Sequence, residues 1–174
     1  KKILATKYIG RPFIYMDTTE STQNEVARYG LNGVPEGLAV GAGYQSQGRG
    51  RLDREWLSIE GTSILVSVLL RPEEHQISHI VIMAALALES FVKELDQNIP
   101  VSIKWPNDIL IEGKKVAGIL VERIPASNTS DKDIVILGMG VNLNLDTSKI
   151  SEISSISTSL YNFTGKQFDL VNAY

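Results

Sequence analysis

The chain contains no cysteine among its 174 residues. Disulfides and thiolate-held metal centres are therefore excluded. Histidine is scarce too, with His75 and His79 alone. Their i, i+4 spacing is that of helical metal ligands, but no third ligand accompanies them, so solvated or capping histidines are expected. No apolar run approaches the ~20 residues of a membrane span. No signal peptide opens the chain, and a soluble, cytoplasmic protein with no membrane contact is expected. The net charge of -3 is too acidic for a protein that coats nucleic acid, although a local basic loop remains open. Walker spacing from a glycine to Gly-Lys-Ser/Thr is absent. The Gly-x-Gly of "GMGVNLN" (138–144) has no third glycine and no following helix pattern, which argues against a dinucleotide fingerprint.

What is present fits one domain. A chain of this length buries roughly 70% of its unfolded surface, enough for its own core. "PFIYM" (12–16), "GLAVGAGY" (37–44), "SILVSVLL" (63–70), "VSIKW" (101–105) and "DIVILGMGVNLN" (133–144) read as strands. The third is continuous and β-branched, hence buried on both faces. "DILIEGKKVAGILVER" (108–123) reads as a hairpin turning at Glu112-Gly113. "TESTQNEVARYG" (19–30) reads as a helix with a Thr22/Glu25 capping box and a Gly30 stop. "SHIVIMAALALESFVKELD" (78–96) is the strongest helix, and "STSLYNFTG" (157–165) a short one. "SNTSDKD" (127–133) is a polar turn. The mixture predicts an α+β fold: one mixed sheet with helices mainly on one face. The chain starts at Lys1 and ends in "FDLVNAY", an amphipathic start without a stop signal, so truncation on the C-terminal side is expected.

Three stretches carry chemistry. "GYQSQGRGRLDREW" (43–56) places Arg49, Arg51 and Arg54 among glycines between two strands. Glycines let backbone N–H groups turn toward an anion, and guanidinium groups bind phosphate or carboxylate bidentately. "KWPND" (104–108) is a rigid turn with an aromatic, an amide and a carboxylate, followed by Lys115 beside the small residues "VAG". A lysine pointing into a cleft there is a candidate electrophile. "ESTQNE" (20–25) places Ser21, Thr22 and Gln23 at a helix start, where they cap the helix or bind a small polar group.

Together these blocks closely resemble the biotin protein ligases, or biotin–acetyl-CoA-carboxylase ligases. "STQ", "YQSQGRGR" with Arg54 and Trp56, "KWPNDI", "KKVAGILVE" and "GMGVNLN" stand in that family's order over roughly residues 13–165. The resemblance implies a catalytic domain like those of class II aminoacyl-tRNA synthetases. It implies that biotin reacts with Mg-ATP to give biotinyl-5′-AMP, and that a lysine of a biotin carboxyl carrier protein or domain then takes the biotin. It places Ser21, Thr22, Gln23 and Gln45 on the biotin head group. By the same resemblance Arg49 and Arg51 are expected in a loop that closes over biotin and the adenylate, and Lys115 is expected to meet the biotin carboxylate and α-phosphate and, with Arg51, to be catalytic. It implies Gly118 and Leu120 as pocket backbone and wall, Arg54, Trp56, Asn107 and Asn142 on the nucleotide side, and Asp108 on the metal, Mg2+.

The chain departs from the family pattern at Asp53, where glycine is common, and at Gln23, where asparagine is common. The segment before Phe13 is too short for a DNA-binding domain, and no C-terminal β-barrel is visible, so no DNA partner is expected and residues 1–174 are read as the catalytic domain. A homodimer paired edge to edge is compatible with the resemblance. The loop 46–55 is expected to be mobile without ligand, since no protein carboxylates evidently await its arginines. Two other readings compete: a lipoate or octanoate ligase of the same fold, whose loop block differs, and a non-catalytic anion-binding module, against which Lys115, Arg51 and Asp108 argue.

Overall fold

The computed structural model describes residues 6–52, 54–126 and 132–174; Asp53 and most of the polar turn expected at 127–133 lie outside the described residues. The elements run β1 (Phe13–Thr19), α1 (Thr22–Leu31), β2 (Ala39–Gln45), β3 (Ser63–Leu70), α2 (Ile77–Leu95), β4 (Val101–Lys104), β5 (Asp108–Ile111), β6 (Lys114–Ile124), β7 (Ile134–Asn142), α3 (Leu160–Thr164) and α4 (Leu170–Ala173). They form one seven-stranded sheet in the order β1-β2-β3-β7-β6-β5-β4. β1 and β2 are parallel, joined through α1, and every other pairing is antiparallel. The mixed α+β sheet expected from the pattern is what forms.

Alternate residues of a strand face opposite sides, so the register sorts the sheet into two faces. On β7, Leu137, Met139 and Val141 face one side, with Ile119 and Val121 of β6 and Ile64 and Val66 of β3. α2 packs there through Ala84, Ala85, Leu88 and Val92, and Leu160 of α3 and Leu170 of α4 join the same core. On the other face, Ile134 and Ile136 pack with Val40, Leu69 and Val26 of α1. Among the described residues most helices thus share one face, and α1 alone takes the other. Because α1 lies over β2, β3 and β7, the face of β4–β6 turned away from α2 is left uncovered by helix.

Local signals behave unevenly. β3 is buried along nearly its whole length, as its apolar run predicts. The β5–β6 turn falls at Glu112-Gly113, both at positive φ, as a tight hairpin turn requires. The Thr22/Glu25 box does not form: the N-cap is Ser21, with no side-chain cap bond. Gly30 is not the stop either. It lies inside α1, where an added Cβ would come within 2.9 Å of Leu69, so it is small because the helix touches the sheet. The left-handed residue that follows the helix is Gly33. His75 and His79 are exposed, and no metal cluster occurs among the described residues. The stretch Glu74–Leu95, which includes α2, is long and apolar enough to cross a bilayer by length and composition, contrary to the sequence expectation. Its contacts place it on β4, β5 and β6 instead.

Tyr174 clips the sheet where β2 and β3 diverge after the pair Ala42↔Leu65. Its hydroxyl accepts from Leu65 N at 3.0 Å and lies 3.0 Å from Ala42 O, to which it donates. Burial pushes its pKa up to about 12. The folded state therefore favours the neutral phenol, and this contribution is complete below pH ~10 and is lost as pH rises through about 12. Tyr174→Phe is expected to lower the unfolding free energy by about 1–2 kcal/mol at pH 8, because Leu65 N loses its partner. Urea unfolding at several pH values checks this. The gap between wild type and variant should shrink above pH ~10; a gap constant across that range would contradict the assignment.

Candidate active site

β6 places its lysine by an irregularity. Pairing with β5 runs Asp108↔Gly118 and Ile109↔Ala117, then skips to Leu110↔Lys115. One extra residue is accommodated, a β-bulge, which reverses the facing of what lies beyond it. Val116 and Ala117 both enter the core under α2. Lys115 consequently stands on the uncovered face, with Gly118, Asp108 and Leu110.

Glycines build the floor. Gly118 and Gly140 are register partners, and Gly138 sits opposite Ser67. The indole of Trp56 lies on this floor: a Cβ at Gly140 would meet Trp56 Cε2 at 2.5 Å, and one at Gly118 would meet Trp56 Cζ3 at 2.9 Å. Over Gly138 the Gln23 amide approaches as closely as 3.0 Å to where a Cβ would be. The "GMG" motif is thus a floor rather than a phosphate loop.

Two cavities share the wall formed by Arg51, Trp56, Asn107 and Lys115. The first is lined by Ser21, Thr22, Gln23, Gln45, Arg49, Gly118 and Leu120 as well. Its volume is about 50 Å3. Small-molecule pockets start near ~300 Å3, and the indole across the floor accounts for the closure. The second holds about 530 Å3 and is lined by Arg54, Lys104, Asp108, Asn142 and Ile156 besides the shared wall. Four cations, Arg51, Arg54, Lys104 and Lys115, face two carboxylates there, Glu55 and Asp108. Every residue that the resemblance assigns to the site thus borders one cavity or both.

The small cavity ends in a polar cluster. Gln45 Oε1 accepts from Thr22 N at 2.7 Å and from Thr22 Oγ1 at 2.9 Å. With the Thr22 proton so used, Ser67 is the donor in the 2.8 Å Thr22–Ser67 hydroxyl contact. Gln23 Nε2 reaches Leu120 O only at 3.5 Å. Ser21 Oγ and Gln23 Oε1 are buried with no hydrogen-bond partner, as are Trp56 Nε1 and Asn142 Oδ1, while Asp108 Oδ1 has an ion pair but no hydrogen bond. Only one further orphan of this kind, Ser63 Oγ, occurs among the described residues, away from the two cavities. Native proteins leave few such groups, and a concentration of them calls for a ligand, an ion or ordered water. Asp108 Oδ1 stands 2.6 Å from Lys115 Nζ, a charge contact without an aligned hydrogen bond. Lys115 Nζ is also 5.4 Å from the centre of the Trp56 ring.

The loop that roofs the cavities is tied down. Trp56 N donates to Gly48 O at 2.9 Å and Gly50 N to Arg54 O at 2.7 Å. Arg51 Nη1 donates to Asn107 Oδ1 at 2.9 Å, and Asn107 Nδ2 to Ile119 O at 3.1 Å. Arg49 meets Asn24 and the Glu122 carboxylate, contrary to the expectation that no carboxylate awaits the arginines. Sequence reasoning missed Asn24, Lys104, Glu122, Ser67, Gly138 and Gly140. The glycines had a visible signal, i, i+2 spacing in a strand; Glu122 had none, being 73 residues from Arg49.

The profile of the biotin/lipoate A/B protein ligase family matches residues 15–142. The chain is 38% identical over 169 residues to the bifunctional ligase/repressor BirA of Bacillus spizizenii, covering 95% of this chain and 51% of that protein. It is 36% identical over 130 residues to the biotin–[acetyl-CoA-carboxylase] ligase of Paracoccus denitrificans, covering 72% and 52%. It thus spans about half the length of these curated relatives. The solved biotin protein ligase of Aquifex aeolicus in complex with biotin and ATP superposes with a TM-score of 0.75 at 34% identity, covering 97% of this chain and 66% of that one.

Gly140→Ala is expected to drive the indole off the floor, because its Cβ would lie 2.5 Å from the ring. Overpacking of this kind costs about 1–3 kcal/mol. Melting temperature and Trp56 emission, read in a Trp105→Phe background, check it. A variant with unchanged emission and Tm would mean that the indole does not rest there.

Proposed function

The chain belongs to the biotin/lipoate A/B protein ligase family, and from that premise we propose that residues 1–174 act as the catalytic domain of a biotin–protein ligase. One observation carries the choice of substrate: the closed end of the small cavity holds the unpartnered Ser21 Oγ and Gln23 Oε1. The cyclic urea of biotin offers N–H donors to an acceptor such as Gln23 Oε1, and a carbonyl that accepts from a hydroxyl such as Ser21. The dithiolane of lipoate offers neither, and each polar group left buried and unpaired costs about 1–3 kcal/mol. The same end disfavours octanoate, and a non-catalytic anion site would have no use for it. Entry of the bicyclic head group requires the indole or the roof loop to shift, since the cavity is about 50 Å3 as it stands.

The valeryl carboxylate then lies toward Lys115, and the triphosphate in the larger cationic cavity. In the first step a carboxylate oxygen attacks the α-phosphorus of ATP. The C(O)–O–P bond forms, the bond to the β-phosphate bridging oxygen breaks, and pyrophosphate leaves. Negative charge gathers where Lys115, Arg51, Arg54 and Lys104 converge, and preorganised positive charge lowers such a barrier. Asp108, whose Oδ1 meets the Lys115 ammonium at 2.6 Å, would hold Mg2+ once that ammonium turns to the phosphate, since Mg2+ takes one or two carboxylates plus substrate phosphates. When bound there, Mg2+ neutralises phosphate charge. In the second step the neutral amine of an acceptor lysine, on a carboxyl carrier domain, attacks the anhydride carbonyl. The amide C–N bond forms, the C–O bond to phosphate breaks, and AMP leaves.

Calorimetry with biotin and with lipoate tests the substrate. Biotin should bind at least ~30-fold tighter, the effect of about 2 kcal/mol. Equal affinities would remove the case built on Ser21 and Gln23. Lys115→Ala should cut pyrophosphate release by ~100-fold while biotin binding changes little, because its charge is needed as phosphate charge develops. Release within a few-fold of wild type would sink that role. Arg51→Gly should act differently, since Arg51 fastens the loop to Asn107. Adenylate formation should survive in part. The anhydride should then escape and biotinylate an unrelated lysine-rich protein more than wild type does, since exclusion of side reactions is one purpose of closing a site. Equal labelling, with the adenylate confirmed in both, would assign Arg51 to phosphate binding alone.

A further inference from the structure

Arg49 is held from two sides, and both partners lie outside the cavity it borders. Its Nη1 donates to Asn24 Oδ1 on α1 at 2.6 Å. Its Nη2 donates to Glu122 Oε2 at 2.9 Å and Oε1 at 3.2 Å, on β6. Arg49 lines the small cavity, whereas Asn24 and Glu122 do not. Each partner nonetheless adjoins a residue that does. Asn24 follows Gln23 in α1, and Glu122 stands two residues past Leu120, on the same face of β6. Glu122 opens instead onto the outer groove it shares with Arg49, Leu52 and Leu120. Both terminal nitrogens of the guanidinium thus bond the protein, while Nε has no partner among the described residues.

The other ties of the loop do not replace this one. Gly48 and Gly50 supply no side chain, and Arg51 is fastened to the far wall, at Asn107. Among the described residues, the Arg49–Glu122 pair is the direct side-chain bond from the segment 48–51 to β6. We propose that Glu122 is a positioning residue: through Arg49 it holds the segment 48–51 shut across the small cavity in the ligand-free protein. Asn24 is its weaker partner, since a neutral acceptor binds a guanidinium less strongly than a carboxylate does. The closure itself does not depend on the reading given under Proposed function. Its consequence does: if the cavity holds biotinyl-adenylate, the same pair slows escape of that anhydride. The pair is partly exposed, with side-chain exposures of 41% and 35%, so its effect is modest and weakened by salt.

The test is trypsin cleavage after Arg51 and Arg54 in the ligand-free chain, for wild type, Glu122→Gln, Glu122→Ala and Asn24→Ala, with cleavage after Lys166 as an internal control. Glu122→Gln and Glu122→Ala should be cut roughly 2- to 5-fold faster within the loop, Asn24→Ala less so, and the control site at the wild-type rate. High salt should speed loop cleavage in wild type and change it little in Glu122→Gln, a signature a purely steric role would not give. Equal loop cleavage in wild type and Glu122→Gln overturns the proposal. So does a rise at Lys166 equal to that in the loop, which would mean general loosening. A second arm measures release of a non-hydrolysable biotinyl-adenylate analogue, expected to be faster in Glu122→Gln by a similar factor. If no variant or wild type binds the analogue, the assigned substrate is wrong, and the protease comparison still decides the latch.

Discussion

The bulge at Lys115–Val116 fixes the side of the sheet on which an ammonium can stand. With regular alternation Lys115 would share the facing of Ala117, in the apolar layer under α2, and Val116 would face the cavities. Burying an ammonium among Leu88, Val92 and Ile99 would cost far more than one irregular pair in a hairpin. The extra residue also frees backbone groups, and they are taken up elsewhere. Lys115 N donates to Ile156 O at 2.9 Å, and Thr158 N to Lys115 O at 2.8 Å. The segment that brings Ile156 and Ser157 to the larger cavity is therefore anchored on the residue that carries the charge. Chemistry and enclosure come from one distortion.

That distortion matters because the face it serves is bare. α1 covers one end of the sheet, α2 covers the other side, and the remaining surface carries glycine where a side chain would fill it. Gly118, Gly138 and Gly140 give up packing that ordinary strand residues would supply. In return the sheet admits an indole and an amide against its backbone. The polar ends of these side chains are then left unmatched, as at Trp56 Nε1 and Gln23 Oε1. Several such groups within one region are relieved by a ligand, an ion or ordered water. The site is thus a place where stability has been withheld, and the apolar layer under α2 compensates for it.

The sequence makes the frame legible and hides the contacts that arm it. β3 shows in its apolar run, α2 in its length and Ala/Leu content, and the hairpin in Glu112-Gly113, because each depends on a few neighbouring residues. The loop shows in its glycines and arginines for the same reason. The bulge does not show, since β6 is regular against β7 and shifts only against β5. Gly30 misleads: its smallness answers Leu69 and Ile134, residues remote in the chain. The helix start misleads in a more useful way. Thr22 and Glu25 spell a capping box, but the Thr22 hydroxyl bonds Gln45 and Ser67 instead, so the motif reads as local structure while serving the cavity. The arginines misled by omission, because Asn107 and Glu122 come from strands and turns 56 and 73 residues away.

The roof must therefore satisfy opposed demands. Gly48 and Gly50 leave it loose, which favours the open state through backbone entropy. Arg49 and Arg51 fasten it to two different walls, which favours the closed state through exposed, charge-assisted bonds. Exposed pairs of this kind are individually weak, so the balance stays within reach of a ligand's own contacts. A roof held by buried apolar contacts would shut the small cavity permanently, since several kcal/mol would have to be overcome at each opening. A roof of glycine alone would not exclude water. Arginines paired at the rim give closure that is reversible and sensitive to the arrival of an anion. An incoming carboxylate or phosphate can take over the guanidinium groups without first breaking a hydrophobic core.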